Sequence, residues 1–451
     1  MKDQSKQSWR SVATGRRRFT TPLSLFTALS VTALSGATVT SASAQGLQER
    51  VANATELARM QQFVDERVDP SVVVDHLVAP DGSAVDCVDI HRQPALMRPD
   101  MRGHRVQLQP STLPDGPEAS RLNADEQEAE QETFGIGCPE GSVPIPRISV
   151  DTLRRFRTLE DFFKKVPSHL QSQVSKRAAE APGDLAINSD GEDPPRDGPT
   201  SLHQYAYGNQ SVVNWGGESV LNLWSPYVQR SNEFSLSQIW VVRGSGSTKE
   251  TVEAGWQLYP DKYGDWNARL FIYFTPDNYG SGGCYNNDCG KFVQVSNTIY
   301  PGTKYSAYSS YDGPQKTITL LLYKDGTTGS WWLRHGDTWV GYWPRTLFDS
   351  AGLRDQAARV TFGGEIIDRQ VNGIHTATDM GSGQFPAAGF GRAAYQRGIR
   401  YVDTSRFYRN VSLAVARTDS YCYDIALRTS TTSGWERYFY YGGSGYNTNC
   451  Q

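Results

Sequence analysis

Thr251-Val-Glu-Ala-Gly-Trp-Gln-Leu-Tyr259 has the two-residue alternation of a β-strand. Val252, Ala254, Trp256 and Leu258 fall on one face, and Thr251, Glu253, Gly255 and Gln257 on the other. Arg359-Val-Thr-Phe-Gly-Gly-Glu-Ile-Ile367 repeats the pattern, with Val360, Phe362 and Ile366 opposing Thr361, Gly363 and Glu365. Each strand carries a glutamate on its wetter face and a glycine two residues away, where another backbone can come close. Two such carboxylates meeting in one groove would form an acid/base pair. A glutamate on a wet strand face is also an ordinary solvent-facing residue, and alternation alone does not decide between the two.

Outward from these stretches the pattern continues. Ser237–Arg243, Ala268–Thr275, Phe292–Ser296, Thr317–Lys324, Thr338–Trp343 and Ser412–Ala416 are further short alternating runs. Gly244-Ser-Gly, Asp277-Asn-Tyr-Gly, Asp312-Gly-Pro and Lys324-Asp-Gly punctuate them as turns. Many short strands at such spacings predict an antiparallel two-sheet β-sandwich or jelly roll. One helix is expected within it, from Pro344 to about Ala358, with proline at its start and Leu347, Phe348 and Leu353 as apolar contacts.

The chain changes character near residue 200. Residues 45–200 hold 27 acidic and 17 basic residues, and 201–451 hold 20 and 22; ten of the 11 tryptophans follow residue 200. This predicts a smaller mixed α/β unit over 45–180, a Pro/Gly-rich linker over 181–200 that is a natural protease target, and the sandwich over 201–451. In the first unit, 47–68 and Leu153–Val166 have helical spacing, the second capped by Ser149 or Asp151. Residues 121–132 are an acidic stretch expected as solvated loop.

Residues 1–44 have the form of an export signal. Arg16-Arg-Arg-Phe19 precedes an apolar run from Leu23 to Val39, and Ala42-Ser-Ala44 offers a cleavage site. The Arg-Arg-x-Phe order fits a twin-arginine leader, although an ordinary secretion signal can also carry three arginines. Either places the mature chain outside the cytoplasm, and no later segment has the apolar length of a membrane span. An even set of six cysteines in an exported chain implies disulfides. Proximity suggests Cys284–Cys289, Cys422–Cys450 and Cys87–Cys138, though sequence leaves the connectivity open. No His or second Cys pair follows Cys284/Cys289 at ligand spacing, so no metal and no cofactor is expected. The net charge of −3 gives no reason to expect nucleic acid as a partner.

These residues resemble the neprosin family of prolyl endopeptidases, secreted glutamic peptidases with an N-terminal activation domain. Asp86-Cys-Val-Asp-Ile-His-Arg-Gln-Pro-Ala95 and Cys138-Pro-Glu-Gly-Ser-Val-Pro-Ile145 look like the activation domain. Ser237-Gln-Ile-Trp240, Glu253-Ala-Gly-Trp256, Gly283-Cys-Tyr285, Cys289-Gly-Lys-Phe-Val-Gln294, Gly329-Ser-Trp-Trp-Leu333, Val340-Gly-Tyr-Trp-Pro344, Leu347-Phe348, Phe362-Gly-Gly-Glu365, Met380-Gly-Ser-Gly-Gln-Phe-Pro386 and Phe439-Tyr-Tyr-Gly-Gly443 look like the enzyme. The resemblance implies that Glu253 and Glu365 are the catalytic pair, that a groove crosses the sandwich, and that the N-terminal part is removable. The twin-arginine-like leader departs from the plant members, for which proline preference is best established.

The resulting expectation is a secreted endopeptidase, made as a zymogen and favoured as a monomer, that hydrolyses a peptide or protein substrate after proline at acid pH. One glutamate would activate water and the other donate a proton. Gln238, Trp240, Gly255, Gln294 and Gly363 are candidates for the groove. Trp240 and Trp256 also fit as core residues of their strands, and phase places Trp256 opposite Glu253, which favours core for it. Two glutamates on a sandwich also describe retaining glycoside hydrolases, and an aromatic-rich sandwich suits a non-catalytic carbohydrate- or surface-binding module. The acidic first unit would cover the groove at neutral pH and let go as its carboxylates protonate.

Overall fold

The computed structural model describes residues 47–116, 128–130, 136–165, 203–369 and 373–451. The expected export signal, the linker over 181–200 and most of the acidic stretch lie outside the described residues. Gln45–Gln451 form one compact unit. Its first part holds α1 (Ala54–Glu66), β1 (Val73–Val78), β2 (Ala84–Asp89), β3 (Glu128–Glu130), β4 (Ser142–Pro146), α2 (Val150–Leu153) and α3 (Leu159–Phe163). From His203 the chain is mostly strand: β5 (His203–Asn214), β6 (Gly216–Asn222), β7 (Ser235–Arg243), β8 (Glu250–Leu258), β9 (Arg269–Thr275), β10 (Cys284–Tyr285), β11 (Val293–Gln294), β12 (Gln315–Lys324), β13 (Trp331–His335), β14 (Thr338–Trp343), β15 (Ala357–Ile367), β16 (Ala394–Val402), β17 (Tyr408–Asn410), β18 (Ala414–Arg417), β19 (Asp424–Thr429) and β20 (Arg437–Gly442).

Two sheets make the sandwich. One runs β10-β9-β8-β7-β15-β5-β18; the other runs β11-β14-β13-β12-β6-β16-β20-β19, with β17 on β16 and β3 on β12. Strands of the first sheet pair antiparallel throughout. The core between the sheets comes from the apolar phase of each strand. Ile239, Val241, Val252, Trp256, Val360, Phe362 and Ile366 of the first sheet meet Leu221, Ile318, Leu320, Leu322, Trp331, Leu333 and Tyr441 of the second.

A second apolar cluster forms on the outer face of the first sheet. Met60 of α1, Leu153 of α2, Phe156, and Leu159 and Phe162 of α3 pack against Phe234, Leu236, Tyr259, Phe271, Tyr273, Tyr285 and Ile367. The N-terminal part therefore covers the face that alternation marks as wet, which is why β7 and β8 are buried on both sides. β1, β2 and β4 form a small antiparallel sheet beside this cap. Disulfides join Cys87 to Cys138, Cys284 to Cys289 and Cys422 to Cys450.

Three helical expectations change. The first helix begins at Ala54, where the Asn53 side chain accepts from Glu56 N. The helix expected to run on from Leu153 is two short ones, because Thr158 caps a new start by accepting from Asp161 N. Between them the carbonyls of Arg154 and Arg157 accept from Arg50, Val51 and Ala52 instead of continuing a helix. The helix expected over Pro344–Ala358 is a single 3-10 turn, Arg345–Leu347. The Glu250 carboxylate accepts from the main-chain N–H groups of Asp349 (2.7 Å) and Leu353 (2.5 Å), so these donors serve a side chain rather than a helix ladder.

Candidate active site

The register of the first sheet brings the two glutamates together. Gln238 on β7 stands opposite Gly255 on β8 and opposite Gly363 on β15. Directly paired residues project from the same face, so Gly255–Gln238–Gly363 is a row with a single side chain at its centre. Glu253 stands in the row on one side, opposite Trp240 and Tyr273. Glu365 stands in the row on the other side, opposite Leu236 and Tyr205. With no Cβ on either glycine, both carboxylates lean over the middle row into one space. The glycines are required in a second way: a Cβ on Gly255 would run into the carbonyl oxygen of Ser237, and one on Gly363 into that of Ala206.

Each carboxylate is held by one oxygen and offers the other. Glu253 Oε1 accepts from Thr251 Oγ1 (2.7 Å) and from the Tyr279 hydroxyl (3.0 Å). Glu365 Oε1 is 2.6 Å from His203 Nδ1, and Tyr205 stands directly opposite Glu365 on β5. Gln238 Nε2 donates to Glu365 Oε2 at 3.2 Å. The two Oε2 atoms converge on the ammonium of Lys165, just beyond α3, at 2.5 Å from Glu253 and 2.9 Å from Glu365. Gln238 Oε1 accepts from the same ammonium at 3.2 Å. Lys165, Glu253 and Glu365 are all almost fully buried.

The electrostatics follow from this packing. Burial by itself would raise the Glu365 carboxyl; Lys165 and then His203 outweigh it and hold it down at about 2. Burial would lower the Lys165 ammonium, but the two glutamates reverse that and raise it. Burial, followed by the charges of Glu365 and Glu253, lifts the Tyr205 hydroxyl well above its ordinary range. A cation between two carboxylates, in a site that excludes water, is an interaction whose partners depend on each other.

The sequence candidates fall into three groups. Glu253, Glu365, Gln238, Gly255 and Gly363 meet at one place. Trp240 lies on the same face beside Tyr207, ring centroids 5.6 Å apart, whereas Trp256 points into the core and donates its indole N–H to Asn222 O. Gln294 is not brought to the glutamates. It lies on β11 in the other sheet, and its amide donates to the carbonyls of Ser296 and Ile299; strand phase does not tell which sheet a strand joins. Lys165, His203 and Tyr279 were not legible as site residues. His203-Gln-Tyr-Ala-Tyr207 does alternate aromatic residues in strand phase, and that was the available signal. Lys165 ends Phe162-Phe-Lys-Lys165 with no local mark of its role.

Residues 231–444 match a family model described as Neprosin, and 76–209 match one described as Neprosin activation peptide. Among solved structures, the chain is similar to scytalido-glutamic peptidase with a peptide-based transition-state analogue (11% identity, 54% of this chain and 98% of that one, TM-score 0.27). It is also similar to SCP-B, a member of the eqolisin family of peptidases in complex with the tripeptide Ala-Ile-His (12% identity, 54% and 98%, TM-score 0.25). A homodimeric agglutinin from chicken liver, CG-16, matches over 38% of this chain and 96% of its own (10% identity, TM-score 0.18). With an activation peptide followed by the enzyme domain, the chain belongs to the neprosin family and is a peptidase of zymogen organisation.

Proposed function

We propose that this chain is an exported glutamic endopeptidase in its latent form, with Glu253 and Glu365 as the catalytic pair. The observation that carries the reading is the convergence of both Oε2 atoms on one buried point, now filled by the Lys165 ammonium. Once Lys165 leaves, that point suits a water molecule. A peptide laid along the outer face would present its carbonyl carbon there.

Glu365 is the member assigned as base, because His203 favours its ionised form. It takes a proton from water as the oxygen attacks the carbonyl carbon. Glu253, carrying the shared proton, donates to the carbonyl oxygen and stabilises the developing oxyanion. Collapse breaks the carbon–nitrogen bond while a proton passes to the leaving amine, giving a carboxylic acid and an amine. No covalent intermediate is needed. Two carboxylates this close share one proton, so the working range is acidic.

In this reading residues 45–180 are the inhibitory part, 181–200 the maturation segment and 201–451 the enzyme. The basis of latency differs from a loss of charge by an acidic N-terminal unit. The inhibitory group is a cation, and the group whose protonation loosens it is the Glu365 carboxylate it pairs with. Selection of proline before the cleaved bond is assigned to the aromatic surface of Trp240, Tyr205 and Tyr207 beside the glycine row, since a proline ring packs well on an aromatic face. The disulfides and the leader-like N-terminus support export.

The test is hydrolysis of a proline-containing fluorogenic peptide at acid pH by the wild type and by Glu253→Gln and Glu365→Gln. Turnover by the wild type that survives serine, cysteine and metal inhibitors and vanishes in both variants supports the pair. Full activity in either variant refutes it.

A further inference from the structure

A cavity of about 360 Å³ opens beside the segment that follows β6. Trp224, Tyr227, Tyr308 and Tyr311 line it together with Asp379, and neither glutamate is among the lining residues. The Trp224 and Tyr311 rings are 5.1 Å apart and tilted. Tyr227 and Tyr311 are each 52% exposed, so the mouth is open to solvent.

Several of the wall's donors are already engaged inside the protein. The Tyr311 hydroxyl donates to Ser382 O, the Tyr308 hydroxyl to Ala268 O at 2.8 Å, and the Trp224 indole to Asn222 Oδ1. The Ser309 hydroxyl donates to Lys316 O, and Ser382 Oγ accepts from the main chain of Gln384 and Ala394. A sugar, which needs many directed donors and acceptors, finds fewer here than the residue types suggest. The cavity presents aromatic surface and one carboxylate. Asp379 accepts a single 3.3 Å bond from Tyr227 N, and among the described residues no lysine, arginine or histidine is paired with it. Burial lifts its carboxyl to about 6, against that one relieving bond.

We infer that this cavity binds an organic cation, an alkylammonium or guanidinium group, with the aromatic rings as its walls and Asp379 as its counter-ion. Cations sit well over aromatic rings, and a carboxylate adds a charge-assisted hydrogen bond that a neutral guest does not gain. The same chemistry is carried by lysine and arginine side chains of a polypeptide and by a choline headgroup. The inference does not depend on the reaction assigned to Glu253 and Glu365.

Calorimetric titration of the full-length protein near neutral pH tests it, with N-acetyl-lysine amide, arginine amide and choline as cations and glucose and N-acetyl-proline amide as neutral probes. Saturable binding of a cation in about the millimolar range is expected, with no measurable binding of the neutral probes. Preference for the amino-acid amides over choline points to a polypeptide side chain, and the reverse to a headgroup. Asp379→Asn is expected to weaken the cation about tenfold and Tyr227→Leu several-fold. Tyr227 is at the half-exposed rim, so that variant decides if Asp379→Asn does not fold. The inference is overturned if no cation binds, if both folded variants bind as the wild type does, or if glucose binds more tightly than the cations.

Discussion

The ammonium of Lys165 lies 2.9 Å from Glu365 Oε2, although the two residues are 200 positions apart in the chain. The same atom touches Glu253 and Gln238, so one side chain of the N-terminal part occupies the space that both glutamates address. Phe162, three residues earlier, packs on the outer face of the first sheet and fixes where the lysine enters. Replacing Lys165 with methionine keeps the length and removes the cation. Two buried carboxylates then face each other without the cation between them, and loss of one partner of a buried ion pair costs roughly 3–5 kcal/mol. K165M is therefore expected to be less latent, cleaving a proline-containing peptide at a pH where the wild type is silent. Identical pH–activation curves for the two proteins would remove Lys165 from latency.

The pH at which the wild type opens follows from the sign of the Glu365 shift. With Lys165 in place the carboxyl is held at about 2, against an ordinary value of 4.5. His203 stays with the enzyme, so contact with the N-terminal part is worth the share of that depression due to Lys165, most above about 4.5 and lost as pH falls toward about 2. Lys165, raised rather than lowered, stays charged throughout that window and does not set it. Full-length protein incubated at stepped pH is expected to shorten and gain activity only below about 4.5, as read by gel and by peptide turnover. Shortening that is equally fast at neutral pH would contradict this.

His203 separates the two glutamates, since it contacts Glu365 and not Glu253. Removing it takes away one of the influences that depress the Glu365 carboxyl. In His203→Gln the acid limb of the pH–rate profile is expected to move upward, because a group that ionises less readily needs a higher pH to act as base. The alkaline limb, set by the proton on the pair, should move less. A loss of rate at every pH with an unchanged acid limb would mean that His203 only supports the fold.

Much of the sandwich was legible because its strands alternate cleanly and its turns carry Gly, Asp and Asn. The glutamates were legible for the same reason: Glu253 and Glu365 occupy the face opposite Trp256 and Phe362. Their burial was not, since it comes from Leu159 and Phe162, some ninety residues before β8. The misplacement of Gln294 has a similar origin. Its strand is two residues long, and only pairing with β14 assigns it to the other sheet. The absent helix after Pro344 failed for a tertiary reason, the capture of two main-chain N–H groups by Glu250.

The glycine row makes a prediction that separates geometry from charge. Gly255→Ala keeps every ionisable group but drives a methyl into the Ser237 carbonyl, so β7 and β8 must part where Glu253 is positioned. Overpacking of this kind costs roughly 1–3 kcal/mol, which the sandwich core should tolerate. A displacement of about 1 Å at a reacting group lowers rate by about a hundredfold. The variant is expected to fold, with a modestly lower melting temperature, and to lose most of its peptide hydrolysis while the midpoint of the pH–rate profile stays in place. Wild-type turnover in Gly255→Ala would show that the approach of β7 to β8 at this row is not what aligns the two carboxylates.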